Sequence, residues 1–172
     1  KNKTLGTLYD MRNAKTCGMI EENKALGIRK FAKPIGVIAN VVPCTNPEST
    51  ICCLALSTLK TRNAQIVSPH PRTPKTSYET VQHIRKALEK IGAPVDLVQC
   101  IQQPSHPKTS ELMANCDYAV AAGKPAQTVG AGNVVSIVDE TADLPAAAHK
   151  IRLSKVANNS ASCSSENAVA LY

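Results

Sequence analysis

Two short stretches carry side chains able to do covalent or oxyanion chemistry. "NNSASCSSEN", residues 158–167, sets Cys163 among Ser160, Ala161, Ser162, Ser164 and Ser165, neighbours small enough to let a bulky electrophile reach sulfur. The thiolate is the reactive form. With no histidine beside it in sequence, Cys163 would rely on backbone NH groups, a helix terminus or a bound cationic ring to favour ionisation. "PCTNP", residues 43–47, holds Asn46, whose side-chain oxygen suits a helix N-cap and whose amide NH2 would remain to hydrogen-bond a developing oxyanion. Two plainer readings stand beside these: Asn46 as a simple cap, and Cys163 as one of seven cysteines. In "SPHPRT", residues 68–73, His70 either meets a ribose or phosphate or occupies a solvated turn.

Periodicity supplies the elements that must position them. The β-branched apolar run "PIGVIANVV" (34–42) predicts a fully buried strand, and "PCTNP" ends it with turn residues. Asn46 and Pro47 suit the N-cap and first position of a following helix, "ESTICCLALSTLK", apolar all round as a helix packed on a sheet would be. "AQIVS" (64–68) predicts a second strand, stopped by "PHPRTP". Residues 77–91 place Val81, Ile84, Leu88 and Ile91 on one helical stripe, with Gly92 at the C-terminal cap and Pro94 beyond it. "VDLVQCI" (95–101) predicts a third strand, "KTSELMANC" (108–116) a short helix and "DYAVAA" (117–122) a fourth strand. This βαβαβαβ alternation predicts an α/β fold with a mostly parallel sheet, whose ligands sit outside the carboxyl ends of the strands. Those ends are "PCTNP", "SPHPRT" and "QQPSHP".

From "DYAVAA" the chain reaches "GKPAQTVGAG" almost at once, although a parallel crossover needs about a dozen residues. Either that strand bends directly into another element or residues are missing near 118–123. "GAGNVVS" (130–136) shares glycines with the dinucleotide fingerprint, but it closes on Ser136 and precedes a strand, so it reads as a turn. After it, "NVVSIV" predicts a strand and "DLPAAAHKIRLSKVAN" an amphipathic helix opened by Asp143 and Pro145. The loop carrying Cys163 and a last strand, "NAVALY", follow.

Composition narrows the function classes. Hydrophobic residues make up 43% of the 172, enough for a buried core, while aromatics are only 3%. Lys plus Arg exceed Asp plus Glu by seven, but the basic residues are scattered and no stacking aromatics interleave them. That argues against a nucleic-acid groove and for a solvated surface that helps an anionic cofactor dock. The cysteines are odd in number and include the adjacent Cys52 and Cys53, unlike a secreted disulfide framework, and point to a reducing cytoplasmic setting. There is no CxxC, and His70, His83, His106 and His149 lack ligand spacing, so no metal is expected. No apolar leader or 18-residue apolar stretch indicates export or membrane spanning. Opening on "KNKTLG" without Met and stopping on "NAVALY", the sequence reads as a fragment.

Taken together, "KTCGMIEE", "PIGVIANVVPCTNPEST", "LKTRNAQIVSPHPR", "AAGKPAQTVGAGN", "VDETAD" and "NNSASCSSEN" resemble the CoA-acylating aldehyde dehydrogenases. That group includes the aldehyde dehydrogenase half of bifunctional aldehyde-alcohol dehydrogenases and the ethanolamine- and propanediol-utilisation enzymes. The resemblance implies a Rossmann-like parallel-sheet cofactor domain over 1–130 and the start of a second α/β catalytic domain over 131–172. It implies that Cys163 is the nucleophile, and that Asn46 and the Cys163 backbone NH form the oxyanion hole. It also implies cofactor contacts from Pro43, Thr45, Ser68, His70, Pro71, Arg72, Val129, Gly130 and Gly132. The cofactor implied is NAD or NADP, with CoA as co-substrate and a small aldehyde as substrate. A homo-oligomer in the cytoplasm, or within a bacterial microcompartment, is the setting. Two departures stand out: Ser160 replaces a usual Gly, and a "TGGP" turn with its helix is absent before "GKP".

The resemblance further implies acyl transfer to CoA rather than to water. Hydrolytic relatives place a Glu base where Val129 stands, and an apolar side chain cannot activate water. A hydrolytic aldehyde dehydrogenase and a non-catalytic α/β binding module are the competing expectations.

Overall fold

The computed structural model describes residues 2–121, 134–160 and 165–171, and the chain divides into two compact units, residues 1–122 and 123–172. The expectations on Val129, Gly130, Gly132 and Cys163, and on the short junction after residue 121, lie outside the described residues.

The first unit opens with α1 (Asn2–Met11) and the strands β1 (Gly18–Asn23) and β2 (Ile28–Ala32), paired antiparallel. The predicted alternation follows: β3 (Val37–Val41), α2 (Pro47–Lys60), β4 (Ala64–Ser68), α3 (Pro74–Lys90), β5 (Val98–Cys100), α4 (His106–Ala114) and β6 (Tyr118–Ala121). The four later strands form one parallel sheet in the order β5-β4-β3-β6. As the second strand from the β6 edge, β3 has neighbours on both sides, and four of its five residues are buried, which explains its continuous apolar run. Val42, Ile51, Val67, Val81, Leu88 and Val98 close the core against α2 and α3.

Local chemistry sets the boundaries. α3 begins three residues before the predicted 77, because Pro74 fits the first helical turn and Thr73 takes the cap position. It ends in a Schellman turn: Gly92 adopts φ 70° and donates to the Glu89 carbonyl at 3.0 Å, while the Ala93 NH donates to Leu88 at 3.0 Å. That turn leaves Ile91 past the packed face and 76% exposed, so the predicted stripe stops at Leu88. The predicted strand over 95–101 is also shorter. Pro94 leads into a 3-10 turn, Val95–Leu97, and only Val98–Cys100 pairs with β4.

The amino end of β3 is pinned from two sides. Buried Asn63 accepts hydrogen bonds at Oδ1 from the NH groups of Ile35 (2.6 Å) and Gly36 (2.8 Å), and its Nδ2 donates to Thr61 Oγ1 at 2.7 Å. Asp117 Oδ2 accepts from the Val37 NH at 2.7 Å, and the Asp117 NH donates to the Val37 carbonyl at 3.0 Å. Gly36 sits at φ 132°, and a Cβ there would run into the Asp117 carboxylate, with Cγ only 2.7 Å away.

In the second unit, β7 (Val134–Val138) and β8 (Glu166–Leu171) pair in parallel, joined through α5 (Leu144–Val156). Asp143 caps α5 by accepting the Ala146 NH at 3.0 Å, the role read for it in the sequence. α5 has no fully buried side chain, so its expected amphipathic character has no buried face among the described residues.

Candidate active site

Because β5, β4 and β3 are adjacent and parallel, the turns that follow them open along one edge of the sheet. The sequence-predicted residues Pro43, Thr45, Asn46, Ser68, His70, Pro71 and Arg72 are all brought to that edge. This is the position where open α/β sheets bind their ligands.

After β3, the Val42 NH donates to the Ser68 carbonyl at 3.0 Å, tying the first two turns together. Pro43 and Cys44 are half-buried and Thr45 is exposed. Asn46 takes the N-cap position of α2 at φ −147°, but its side chain makes no capping bond. Its backbone carbonyl instead accepts the Thr50 NH at 3.1 Å and Thr50 Oγ1 at 2.8 Å. The side-chain cap expected from the sequence is therefore corrected: Asn46 takes the cap position, and the helix starts through bonds to its backbone carbonyl rather than to its side chain.

After β4, Ser68 is buried and its hydroxyl shares a 2.7 Å hydrogen bond with Thr109 Oγ1 of α4, which places it as a tie beneath the edge. His70 is half-buried, and its Nδ1 accepts the Arg72 NH at 3.1 Å. That bond assigns the proton of the neutral ring to Nε2 and leaves Nε2 as the donor. The His70 carbonyl accepts the Thr73 NH at 2.9 Å, and this turn carries Pro71 and Arg72 exposed at its tip. Residues 42–47 and 68–76 contain no carboxylate, and Glu48 in the first turn of α2 is the acidic residue next to them. α2 and α3 start at this edge, and although the first turn of α2 carries Glu48, the positive ends of the two helices and Arg72 suit it to an anionic group such as a diphosphate.

A cleft of about 430 Å³ lies beside this edge, against α4, lined by Ile66, Ile101, Lys108, Glu111, Leu112 and Asn115. None of the sequence-predicted residues lines it. Lys108 Nζ is engaged there with the Gln103 carbonyl at 3.1 Å.

Six cysteines among the described residues carry free thiols: Cys17, Cys44, Cys52, Cys53, Cys100 and Cys116. Burial pushes the Cys100 thiol up to about 11, and burial, then Cys53 and Glu48, raise that of Cys52. These two are poor thiolates.

In the second unit, the described flanks of the "NNSASCSSEN" stretch converge on Lys155. Its Nζ donates to the Glu166 carbonyl at 2.5 Å and to Asn167 Oδ1 at 3.4 Å, and its own carbonyl accepts Ser160 Oγ at 2.5 Å. The turn Ala157–Ser160 ends with Asn159 at φ 52° and Ser160 at φ 58°, a left-handed backbone that normally favours glycine. Ser160 thus keeps a backbone conformation that glycine would adopt readily. The Glu166 carboxyl is held below its ordinary range by its own backbone NH, then by the Ser154 hydroxyl and the Lys155 charge. Lys155 carried no signal in the sequence reading, since a lysine in the last turn of a helix normally serves only the dipole.

Known proteins similar to this chain are acylating aldehyde dehydrogenases. A sulfoacetaldehyde dehydrogenase (acylating) of Bilophila wadsworthia is 42% identical over 181 residues, covering 98% of this chain and 39% of its own. A crystal structure of an acetylating aldehyde dehydrogenase from Geobacillus thermoglucosidasius superposes with a TM-score of 0.88 at 33% identity, covering 98% of this chain and 41% of that one. The chain is similar to acylating aldehyde dehydrogenases in sequence and in fold along nearly its whole length. The bifunctional aldehyde-alcohol dehydrogenase of Escherichia coli K12 is 39% identical over 172 residues, covering 92% of this chain and 19% of its own. The chain spans about two fifths of the length of the sulfoacetaldehyde dehydrogenases it matches. No family model matches.

Proposed function

We propose that the protein oxidises a small aldehyde and transfers the acyl group to CoA, with reduction of NAD+ or NADP+. The observation that carries this reading is the likeness to acylating enzymes along the whole chain, with the "PCTNP" and "SPHPRT" turns gathered at one sheet edge. Solved relatives include a propionaldehyde dehydrogenase of Rhodopseudomonas palustris with bound propionyl-CoA, and the same enzyme with CoA and an acylated cysteine. An engineered glycolyl-CoA reductase with bound NADP+ is also similar.

In this reading the first unit holds the cofactor and the second begins the catalytic domain. The Cys163 thiolate attacks the aldehyde carbonyl and forms a C–S bond, while the carbonyl electron pair becomes an oxyanion. The Asn46 amide and the Cys163 NH donate to that oxyanion, and one such donor typically contributes about 3 kcal/mol. The His70 Nε2–H, Arg72 and the helix amides at the sheet edge hold the anionic part of NAD(P). When bound, NAD(P)+ would supply hydride acceptance, and loss of hydride from the adduct would leave a thioester on Cys163. The CoA thiolate then takes the acyl group and returns the Cys163 thiolate, and Val129 supplies no base for water. A homo-oligomer in the cytoplasm, or in a microcompartment as for the Clostridium phytofermentans relative, completes the proposal.

The test is reduced-cofactor formation by the full-length protein from sulfoacetaldehyde, acetaldehyde and propionaldehyde, with and without CoA. Turnover that requires CoA and disappears in Cys163→Ala supports the reading; steady turnover without CoA makes the protein hydrolytic.

A further inference from the structure

We infer that Thr109, on α4, is a positioning residue for the cofactor edge: its hydroxyl joins the ends of β4 and of the turn after β5, and so fixes the turn that carries His70 and Arg72. This rests on the reading of that edge as the NAD(P) site. Ser68 closes β4 two residues before His70, is 1% exposed, and shares a 2.7 Å hydrogen bond between its Oγ and Thr109 Oγ1. Thr109 Oγ1 also lies 3.0 Å from the Ser105 carbonyl, which can only accept, so the single hydroxyl hydrogen of Thr109 goes there. The Ser68 hydrogen then goes to Thr109, and the two bonds run in one direction, from Ser68 to Thr109 to Ser105. On its other side, the Ser68 carbonyl accepts the Val42 NH at 3.0 Å. One chain of hydrogen bonds thus runs from the residue before Pro43, through the end of β4, to Ser105 at the N-cap of α4.

The bonds around Thr109 separate holding the helix from holding the turn. The start of α4 does not depend on the Thr109 hydroxyl, because the Thr109 NH itself donates to the Ser105 carbonyl at 3.0 Å and Ser105 Oγ accepts the Lys108 NH at 3.4 Å. The hydroxyl is the part that reaches across to β4. The turn after β4 has two local bonds, from the Arg72 NH to His70 Nδ1 and from the Thr73 NH to the His70 carbonyl. These set its shape, whereas the bond from Ser68 to Thr109 sets its place against α4. Groups that hold a ligand must be kept to within about 0.5 Å by the hydrogen bonds and packing behind them. A buried hydroxyl deprived of its acceptor is costly, and bonds in a run strengthen one another. Without Thr109 Oγ1, Ser68 must turn toward another acceptor, and the shift is passed to His70 two residues on.

The experiment uses the full-length protein with Thr109→Val, which keeps the side-chain shape and deletes the hydroxyl, and Thr109→Ser, which keeps the hydroxyl. Calorimetric titration with NAD+ and with NADP+ is expected to give a Kd about threefold to tenfold weaker in Thr109→Val, and within about twofold of the parent in Thr109→Ser. At saturating cofactor kcat is expected to stay within about twofold, since Thr109 lies behind the edge and not at the reacting atoms. The second readout needs no cofactor: hydrogen–deuterium exchange of the peptide covering 69–76 is expected to quicken in Thr109→Val and to match the parent in Thr109→Ser. In a Ser68→Ala background, which lacks the other half of the bond, Thr109→Val should weaken binding by less than about twofold further. Should Thr109→Val fail to fold, Ser68→Ala carries the exchange comparison. Parent-like binding and exchange in Thr109→Val would overturn the inference, as would equal losses in the Val and Ser variants. Lower stability with an unchanged Kd per folded molecule would also overturn it, because Thr109 would then serve the fold alone. A parent that binds neither cofactor refutes the reading of the edge, and the exchange comparison still decides whether Thr109 holds the turn.

Discussion

Asn63→Ala is the perturbation with the clearest expected size. Asn63 is 5% exposed, and its Oδ1 is the acceptor for two successive backbone donors, the NH groups of Ile35 and Gly36, at 2.6 and 2.8 Å. Truncation leaves both amides without that acceptor and removes the Nδ2 bond to Thr61 Oγ1. An orphaned buried donor costs about 1–3 kcal/mol, and because Ile35 is exposed and its amide can turn to water, the loss comes to about 1–3 kcal/mol, a sizeable share of the roughly 5–15 kcal/mol of a typical domain. The assay is urea unfolding of parent and variant, reading the midpoint with the slope held as a check that the exposed surface is unchanged. These bonds lie at the amino end of β3, the end away from Asn46, so kcat per folded molecule is expected to be preserved. A stability loss below about 0.5 kcal/mol, the range of neutral surface changes, would refute the reasoning.

Other expectations follow from the same geometry. Gly36→Ala is expected to destabilise by more than about 1 kcal/mol, since it combines a left-handed φ of 132° with collision against the Asp117 carboxylate; Gly36→Ala in an Asp117→Gly background should lose less, and equal losses would remove the collision from the account. The Cys100 thiol is raised to about 11 by burial, so its neutral form is favoured in the folded state. Stability is then fully present below the unfolded value of about 8.5 and declines as pH rises from there toward about 11. Cys100→Ala should flatten that decline in unfolding midpoints, and an unaltered pH slope would contradict it. Asn46→Ala is expected to lower kcat by about 10²–10³ with a smaller change in cofactor KM; an unchanged kcat would remove Asn46 from the oxyanion role.

Elements with one strong periodic or continuous apolar signal were legible in the sequence. β4 matches its predicted span and β3 falls inside the predicted 34–42, at 37–41, because both are buried in the sheet, and α2 begins where Pro47 allows. The N-terminal α1, β1 and β2 went unread. In β1 and β2 no residue is buried, so no alternation marks them, and the pair is held by cross-strand contacts such as Arg29 to Glu22 at 2.7 Å. Polar residues inside the apolar runs were equally silent: Asn40 and Gln65 are wholly buried, and Asn63 organises the start of β3 from a loop. A hint was present, since Asn63 follows Arg62, a left-handed residue in a tight turn of the kind asparagine side chains stabilise. At the candidate site, the turns after β3 and β4 were legible because chain direction and strand order in an α/β sheet dictate where they meet. The individual hydrogen bonds there were not. Ser68 toward Thr109, His70 toward Arg72 and Lys155 toward Glu166 each depend on contacts or turn geometry that spacing does not encode.

The central claim is that an acyl group resides on Cys163 between oxidation and transfer. The direct measurement is peptide mass spectrometry of the full-length protein after incubation with aldehyde and oxidised cofactor, before and after addition of CoA. The account predicts an acyl adduct on the peptide containing Cys163 that disappears on adding CoA as acyl-CoA forms. An adduct confined to another cysteine, or turnover with no adduct on Cys163 at any time, would contradict it.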